Sequence, residues 1–211
     1  MSEKPRIAFL VPAYGSIQLE AWQSHVNLLA NANRFCQPSF FTASSCYVHE
    51  SRNRLLELFK EIDEKVVFDW VFWLDSDIVF SYKDVEVLLN LAVENKNDLV
   101  SGLYVNFVNG VLLPMLQNYV VEEDRYESVG KGDLVDGVEV GGAGLGFVLQ
   151  SGESLRKMLL DHGDRFFGFR ISKRNKLVGE DNVFFELARK SGFRLIAYPS
   201  VRIGHAKVIS I

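Results

Sequence analysis

The sequence predicts an α/β protein with a mixed, mainly parallel central sheet, helices on both faces and a small antiparallel addition in the second half. Three observations predict it. Apolar strand-like runs alternate with helical runs through the first half, the pattern of a parallel sheet covered on both sides. In the second half, 111–120 and 134–150 hold strand-like runs, the second rich in glycine, with no helix between them. The 211 residues, 48% of them hydrophobic and 24% charged, suit one domain with a full-sized core. The change of pattern divides that domain at about residue 105, into halves 1–105 and 106–211.

Residues 6–12 open the chain as a β-rich apolar run. Pro12 is expected to stop it, and 13–16 to form a loop. From 17 to 32 the apolar residues Leu19, Trp22, Val26 and Leu29 recur at helical spacing. Residues 38–42 read as a strand. Residues 51–64 read as a helix with Leu55, Leu56, Phe59 and Ile62 on one face. The near-continuous apolar run 66–74 reads as a strand buried on both faces. A helix follows at 83–95 and a strand at 98–104. Residues 122–132 are polar and are expected to form a surface loop. Helices are expected at 152–161, ended by Gly163, and at 181–191, ended by Gly192 in a left-handed cap. Strands at 194–198 and 201–203 close the fold.

Bulk composition excludes several classes. A net charge of −4 argues against a chain that holds nucleic acid through a general basic field. Cys36 and Cys46 are too few for a disulfide scaffold and are expected to be free thiols in a reducing compartment. No run reaches the ~18 apolar residues of a membrane span. The richest, 66–80, is interrupted by Asp69, Asp75 and Asp77. A cytoplasmic protein is expected, with any membrane contact supplied by a partner or by further sequence.

Six segments carry candidate chemistry. In WVFWLDSD a buried strand runs into Asp75, Ser76 and Asp77, and ligands of open α/β sheets bind beyond the carboxyl ends of strands. Alternation would send both carboxylates to one side, where hard oxygens suit Mg²⁺ or Mn²⁺. A solvated acidic turn is the competing explanation. VRIGH is a second strand ending in a metal-competent side chain, His205. Glu180 and Asp181 stand at a helix start, where capping explains them as well as a general base does. The run 140–147, VGGAGLGF, lets backbone approach a ligand closely, or makes a tight bend in a sheet. It is followed by a strand, which excludes a dinucleotide fingerprint. Finally Pro12, Ala13 and Tyr14 leave the first strand where a ring could stack on a base, and Arg52 near a helix start could reach a phosphate.

In this order, IAFLVPAYG, SRNRLL, FWLDSDIVF, VGGAGLGFVL, GEDNVFFELARKSGF and RIGHAK resemble the GT-A fold of nucleotide-sugar glycosyltransferases over nearly the whole chain. The compact size is also similar to small virus-encoded members, or to a catalytic domain of a longer protein. The resemblance implies a Rossmann-like GT-A domain, with a nucleotide-binding half (about 1–105) and an acceptor-binding, metal-completing half (about 106–211), acting as a hexosyltransferase on a UDP-sugar such as UDP-glucose, with a glycan or glycoprotein acceptor. It implies Mn²⁺ or Mg²⁺ held by Asp77 and His205, with Asp75 on the ribose or bridging to the metal. Pro12, Ala13, Tyr14, Arg52 and Ser76 would hold the nucleotide. Gly142, Ala143 and Gly144 would border donor sugar and acceptor, and Asp181 or Glu180 would be the catalytic carboxylate. Retaining and inverting chemistry both remain open.

Three other readings compete. Asp75-Ser76-Asp77-Ile78-Val79 loosely matches the nucleophile motif of haloacid-dehalogenase-type phosphohydrolases, which usually sits at the first strand. A nucleotidyltransferase would call for a lysine in the loop after the first strand, and VPAYGSIQ has none. A non-catalytic sugar-nucleotide or carbohydrate-binding module is opposed only by Asp181.

Overall fold

The computed structural model describes residues 3–13, 15, 17–108 and 111–206. The first half runs β1 (Arg6–Ala13), α1 (Leu19–Asn31), β2 (Gln37–Ser44), α2 (Val48–Asp63), β3 (Trp70–Leu74), β4 (Ile78–Val79), α3 (Tyr82–Asn95) and β5 (Leu99–Leu103). The second continues with β6 (Val105–Val108), β7 (Val111–Pro114), β8 (Leu116–Val120), β9 (Arg125–Ser128), β10 (Val138–Val140), β11 (Gly142–Ala143) and β12 (Phe147–Ser151). It closes with α4 (Gly152–His162), β13 (Arg170–Ile171), β14 (Leu177–Val178), α5 (Glu180–Lys190), β15 (Leu195–Arg202) and β16 (Gly204–His205).

Seven strands form the central sheet in the order β10-β15-β5-β12-β3-β1-β2. β2, β1, β3, β5 and β15 run one way, and β12 and β10 run against them. The mainly parallel sheet and the small antiparallel sheet β11-β8-β9 are the arrangement the sequence predicts.

Side-chain alternation divides the core in two. Ala8, Leu10, Val71 and Trp73 pack with Leu55, Leu56 and Phe59 of α2, Leu155 and Met158 of α4, and Phe184 and Phe185 of α5. Ile7, Phe9, Phe72 and Leu74 point the other way, onto Leu28 of α1 and Val85, Leu88 and Leu89 of α3. β3 is apolar at every position because both of its faces are covered.

Helix ends follow local chemistry. Ser81 and Asp84 form a reciprocal capping box on α3. The Ser151 hydroxyl accepts from Ser154 N–H at the start of α4. Past the end of α5, Gly192 adopts φ 93°, as the sequence predicts, while the Phe193 amide donates to the Ala188 carbonyl.

Several elements differ from expectation. β1 continues through Pro12 to Ala13, beyond the last register pair with β3 at Leu10, where a missing N–H is tolerated. Residues 66–69 precede β3 rather than belong to it, and Val66 and Val67 are exposed. α2 begins at Val48, so Arg52 lies in its second turn. β9 occupies part of the expected 122–132 loop, because Tyr126 pairs across to Tyr119 of β8. β15 bridges the expected break at 199–200 with a bulge against β5. On α1 the apolar stripe Leu19, Trp22, Val26 and Leu29 faces outward, while Ala21, Ser24, His25 and Leu28 are buried.

Cys36 and Cys46 are free, and burial pushes the Cys36 thiol up to about 12. A Cβ at Gly152 would stand 2.1 Å from the Phe68 carbonyl oxygen, a backbone atom that cannot swing aside. Gly152→Ala is therefore expected to destabilise the fold by about 1–3 kcal/mol. Gly132→Ala, with nothing within 4 Å of the new methyl, should stay within about 0.5 kcal/mol of the parent. Urea denaturation midpoints of the two variants check this; equal losses would overturn it.

Candidate functional site

The parallel strands deliver their carboxyl ends to one edge, where ligand sites of open α/β sheets form. Asp75 leaves β3 there, Tyr104 follows β5, and His205 lies just past β15. The α5 N-terminus brings Glu180 and Asp181, and α2 supplies Arg52 from below.

Arg52 is 2% exposed and sits among three carboxylates. Its Nη2 donates to both oxygens of Asp75, at 3.0 and 3.2 Å. Its Nη1 donates to Glu180 Oε1 at 3.3 Å and to Asp181 Oδ1. The guanidinium also lies 5.8 Å from the Phe167 ring centroid. The three carboxylates drive the Arg52 pKa above its ordinary value against the opposing effect of burial. Burial pushes the Glu180 and Asp181 carboxyls up, the neighbouring carboxylates add to this, and Arg52 opposes it. The second Asp181 oxygen accepts from Leu145 N–H at 3.2 Å. Arg52 therefore faces carboxylates rather than an open phosphate cradle, which corrects its expected position at a helix start.

Asp75 and Asp77 part company. The strand ends at Leu74 and residues 76–77 form a turn, so strand alternation does not carry through the motif. Asp75 turns to Arg52. Asp77 turns to His205, whose Nε2 lies 2.8 Å from Asp77 Oδ2. The antiparallel pairing of β16 with β4, His205 opposite Ile78, makes that meeting possible across 128 residues. The His205 side chain is 15% exposed and its Nδ1 is buried without a hydrogen-bond partner. Among the described residues no group of three acidic, histidine or cysteine side chains is poised for a metal, so Asp75 does not join the pair.

The glycine run is shaped by protein neighbours. A Cβ at Gly144 would stand 1.7 Å from the Tyr104 hydroxyl, and one at Gly146 2.8 Å from Asp75 Oδ2. One at Gly142 would meet Asn182 Oδ1 at 2.4 Å. Gly142, Ala143 and Gly144 are all buried. Pro12 is buried and Ala13 half-buried at the end of β1, and Ser76 is buried in the turn. Tyr14 lies outside the described residues.

Two residues enter the site that the sequence reading missed. Tyr104 is 7% exposed and packs edge-on to His205 at 5.5 Å. Burial, then Asp181 and Asp75, push its phenol well above the ordinary range. The signal was its place directly after an apolar strand. His25 of α1 is buried against the 75–80 turn, edge-on to the Phe80 ring at 5.5 Å, and burial lowers its pKa. Its neighbour Ser24 accepts from Phe80 N–H at 3.0 Å, so α1 holds the end of that turn.

Comparison with known proteins adds the fold. The solved structure of A197 from STIV is similar to this chain, with a TM-score of 0.59 and 23% identity over 96% of this chain and 86% of that one. No family model matches the sequence, and no curated protein is similar to it. The likeness extends to the α/β architecture that builds the edge, and the chemistry must be argued from the side chains.

Removing the guanidinium would leave three part-buried carboxylates uncompensated. Arg52→Met is expected to lose about 3–5 kcal/mol at neutral pH. Without Arg52 the buried carboxyls have folded-state pKa values raised further above those of the unfolded chain. The folded variant then binds protons that the unfolded chain does not, so its stability rises as pH falls toward the ordinary carboxylate range. Urea denaturation at pH 7.5 and 5.5 should show the gap to the parent narrowing at the lower pH. An equal gap at both would mean that lost packing, not charge, explains the effect.

Proposed function

We propose that this chain is a metal-dependent glycosyltransferase of the GT-A type. It moves a hexose from a nucleoside diphosphate donor, best matched by a UDP-sugar such as UDP-glucose, to a hydroxyl of a glycan or glycoprotein acceptor. The observation that carries the reading is the meeting of Asp77 and His205 beside the Arg52–Asp75–Asp181 cluster at the carboxyl edge of the sheet.

The donor set fits Mn²⁺ or Mg²⁺. A carboxylate oxygen and an imidazole nitrogen 2.8 Å apart can occupy neighbouring positions around one ion, leaving the others to diphosphate oxygens and water. Bound there, the metal would offset the charge that grows on the departing nucleoside diphosphate. Pro12, Ala13 and Ser76 border the nucleotide on this reading, with Tyr14 as the candidate stacking ring. Asp75, pinned by Arg52, stands ready to accept from a ribose hydroxyl. The buried backbone of Gly142, Ala143 and Gly144 forms the wall beside the donor sugar and acceptor.

Asp181 is the carboxylate for the acceptor. Burial raises its affinity for a proton, which suits removal of one from an incoming hydroxyl in an inverting reaction. In a retaining reaction the leaving phosphate takes that proton, and Asp181 steadies the sugar. Glu180 shares the Arg52 Nη1 and sets how much of the guanidinium charge Asp181 feels. A dehalogenase-type nucleophile at Asp75 is disfavoured, because both of its oxygens already accept from Arg52.

Calorimetric titration of UDP-glucose, UDP-galactose, GDP-mannose and UDP, with Mn²⁺ and with EDTA, tests the proposal. One UDP-sugar should bind, and EDTA should abolish it. Asp77→Ala and His205→Ala should each weaken Mn²⁺-dependent donor binding more than about tenfold with the fold intact. Asp181→Asn should bind donor normally yet lose at least about a hundredfold in turnover. Unchanged donor binding in the first two variants would remove the metal site, and unchanged turnover in the third would remove the catalytic assignment.

A further inference from the structure

β13 and β14 form a short antiparallel hairpin just before Glu180. Ile171 pairs directly with Leu177 and Arg170 with Val178. Directly opposed residues project to the same face of such a ladder. The Arg170/Val178 face is turned inward: Val178 is 6% exposed, and Arg170 donates to Glu186 Oε2 at 2.7 Å and Asp124 Oδ2 at 3.0 Å. The other face presents Ile171 at 59% and Leu177 at 68% exposure. Phe169, 50% exposed, extends the apolar ledge and packs edge-on to His49 at 5.0 Å.

The tip of the hairpin is cationic. Residues 170–178 contain Arg170, Lys173, Arg174 and Lys176 and no acid, in a chain whose net charge is −4. Lys173, Arg174 and Lys176 are exposed, and Arg174 alone of these three pairs with an acid, Glu123 at 2.7 Å. The tip is also firmly held. The Lys173 amide donates to Asp124 Oδ2 at 2.7 Å, and the Lys176 amide to the Ser172 hydroxyl at 3.1 Å. The backbone that carries these charged groups is thus anchored.

An exposed apolar ledge beneath a cationic tip matches the layered chemistry of a bilayer surface, acyl chains below anionic headgroups. No helix among the described residues is long and apolar enough to cross a membrane. Charge sets this face apart from the exposed apolar face of α1, a helix that carries Glu20 as its one acidic residue and no lysine or arginine. We propose that the β13–β14 hairpin docks the protein onto an anionic phospholipid surface, with Ile171 and Leu177 entering the interface and Lys173 and Lys176 facing the headgroups. This departs from the expectation that membrane contact comes through a partner or through further sequence. It stands independently of the glycosyl-transfer reading.

The test is sedimentation of the full chain with vesicles at about 0.1 M salt, comparing pure phosphatidylcholine with a mixture containing roughly one-third phosphatidylglycerol. The protein should pellet with the anionic vesicles and be released by high salt. Ile171→Ser/Leu177→Ser and Lys173→Gln/Lys176→Gln should each lower partitioning at least about tenfold, with the melting temperature unchanged. No pelleting of the parent with anionic vesicles overturns the proposal, as does equal pelleting with both lipids. Full binding by both double variants would assign attachment to another surface. Displacement by inorganic phosphate, with the apolar variant binding normally, would mark an ion site instead. Donor titration on the same samples reads the transferase proposal separately.

Discussion

One buried guanidinium organises the functional edge of this molecule. Arg52 stands between elements that are far apart in sequence: β3 through Asp75, and α5 through Glu180 and Asp181. Three carboxylates cannot share a half-buried space unless a cation is fixed among them. The reverse also holds, since an arginine this deeply enclosed needs acceptors on its donors. Its Nε remains without a partner, so the match is concentrated on the two terminal nitrogens. The planar fork suits that task, as it can address separate carboxylates from separate nitrogens where a lysine offers one point charge.

A second charged network supports the first from behind. Arg170 joins Asp124 and Glu186, the Tyr126 hydroxyl donates to Glu186 at 2.9 Å, and Arg189 reaches the Gly141 carbonyl and the Tyr119 ring. These contacts tie α5 to the β11-β8-β9 sheet. The orientation of the α5 N-terminus, and so the aim of Asp181, depends on them. Asp124 adopts φ 48° at the centre of this network, and its hydrogen bonds with Arg170 and Lys173 hold its carboxyl well below the usual range.

Much of the architecture was legible because it rests on local rules. Apolar runs of strand length, helical spacing in 51–64 and 83–95, and glycines after helices mark elements that tertiary packing left in place. The joining of Asp77 to His205 was legible as two strands ending in metal-competent groups, though their register was not. What stayed hidden is non-local. The divergence of Asp75 from Asp77 depends on where the strand ends, which Arg52 and His205 decide. The inward face of α1 is the clearest reversal. Hydrophobicity alone would bury Leu19, Trp22, Val26 and Leu29, yet Ser24 and His25 face inward, where Ser24 accepts the Phe80 amide and His25 packs on the Phe80 ring. The glycine run read as backbone open to a ligand or as a tight bend, and in the fold the places its missing Cβ atoms would take lie against Tyr104, Asp75 and Asn182.

The contact between Gly144 and Tyr104 has an evolutionary consequence. With the phenol oxygen 1.7 Å from where a methyl would stand, the two positions form one unit of variation. A lineage that places any side chain at 144 must first shed the large ring at 104, and a lineage that keeps the ring is confined to glycine. Related sequences, aligned in number, should therefore show these two columns changing together although forty positions separate them.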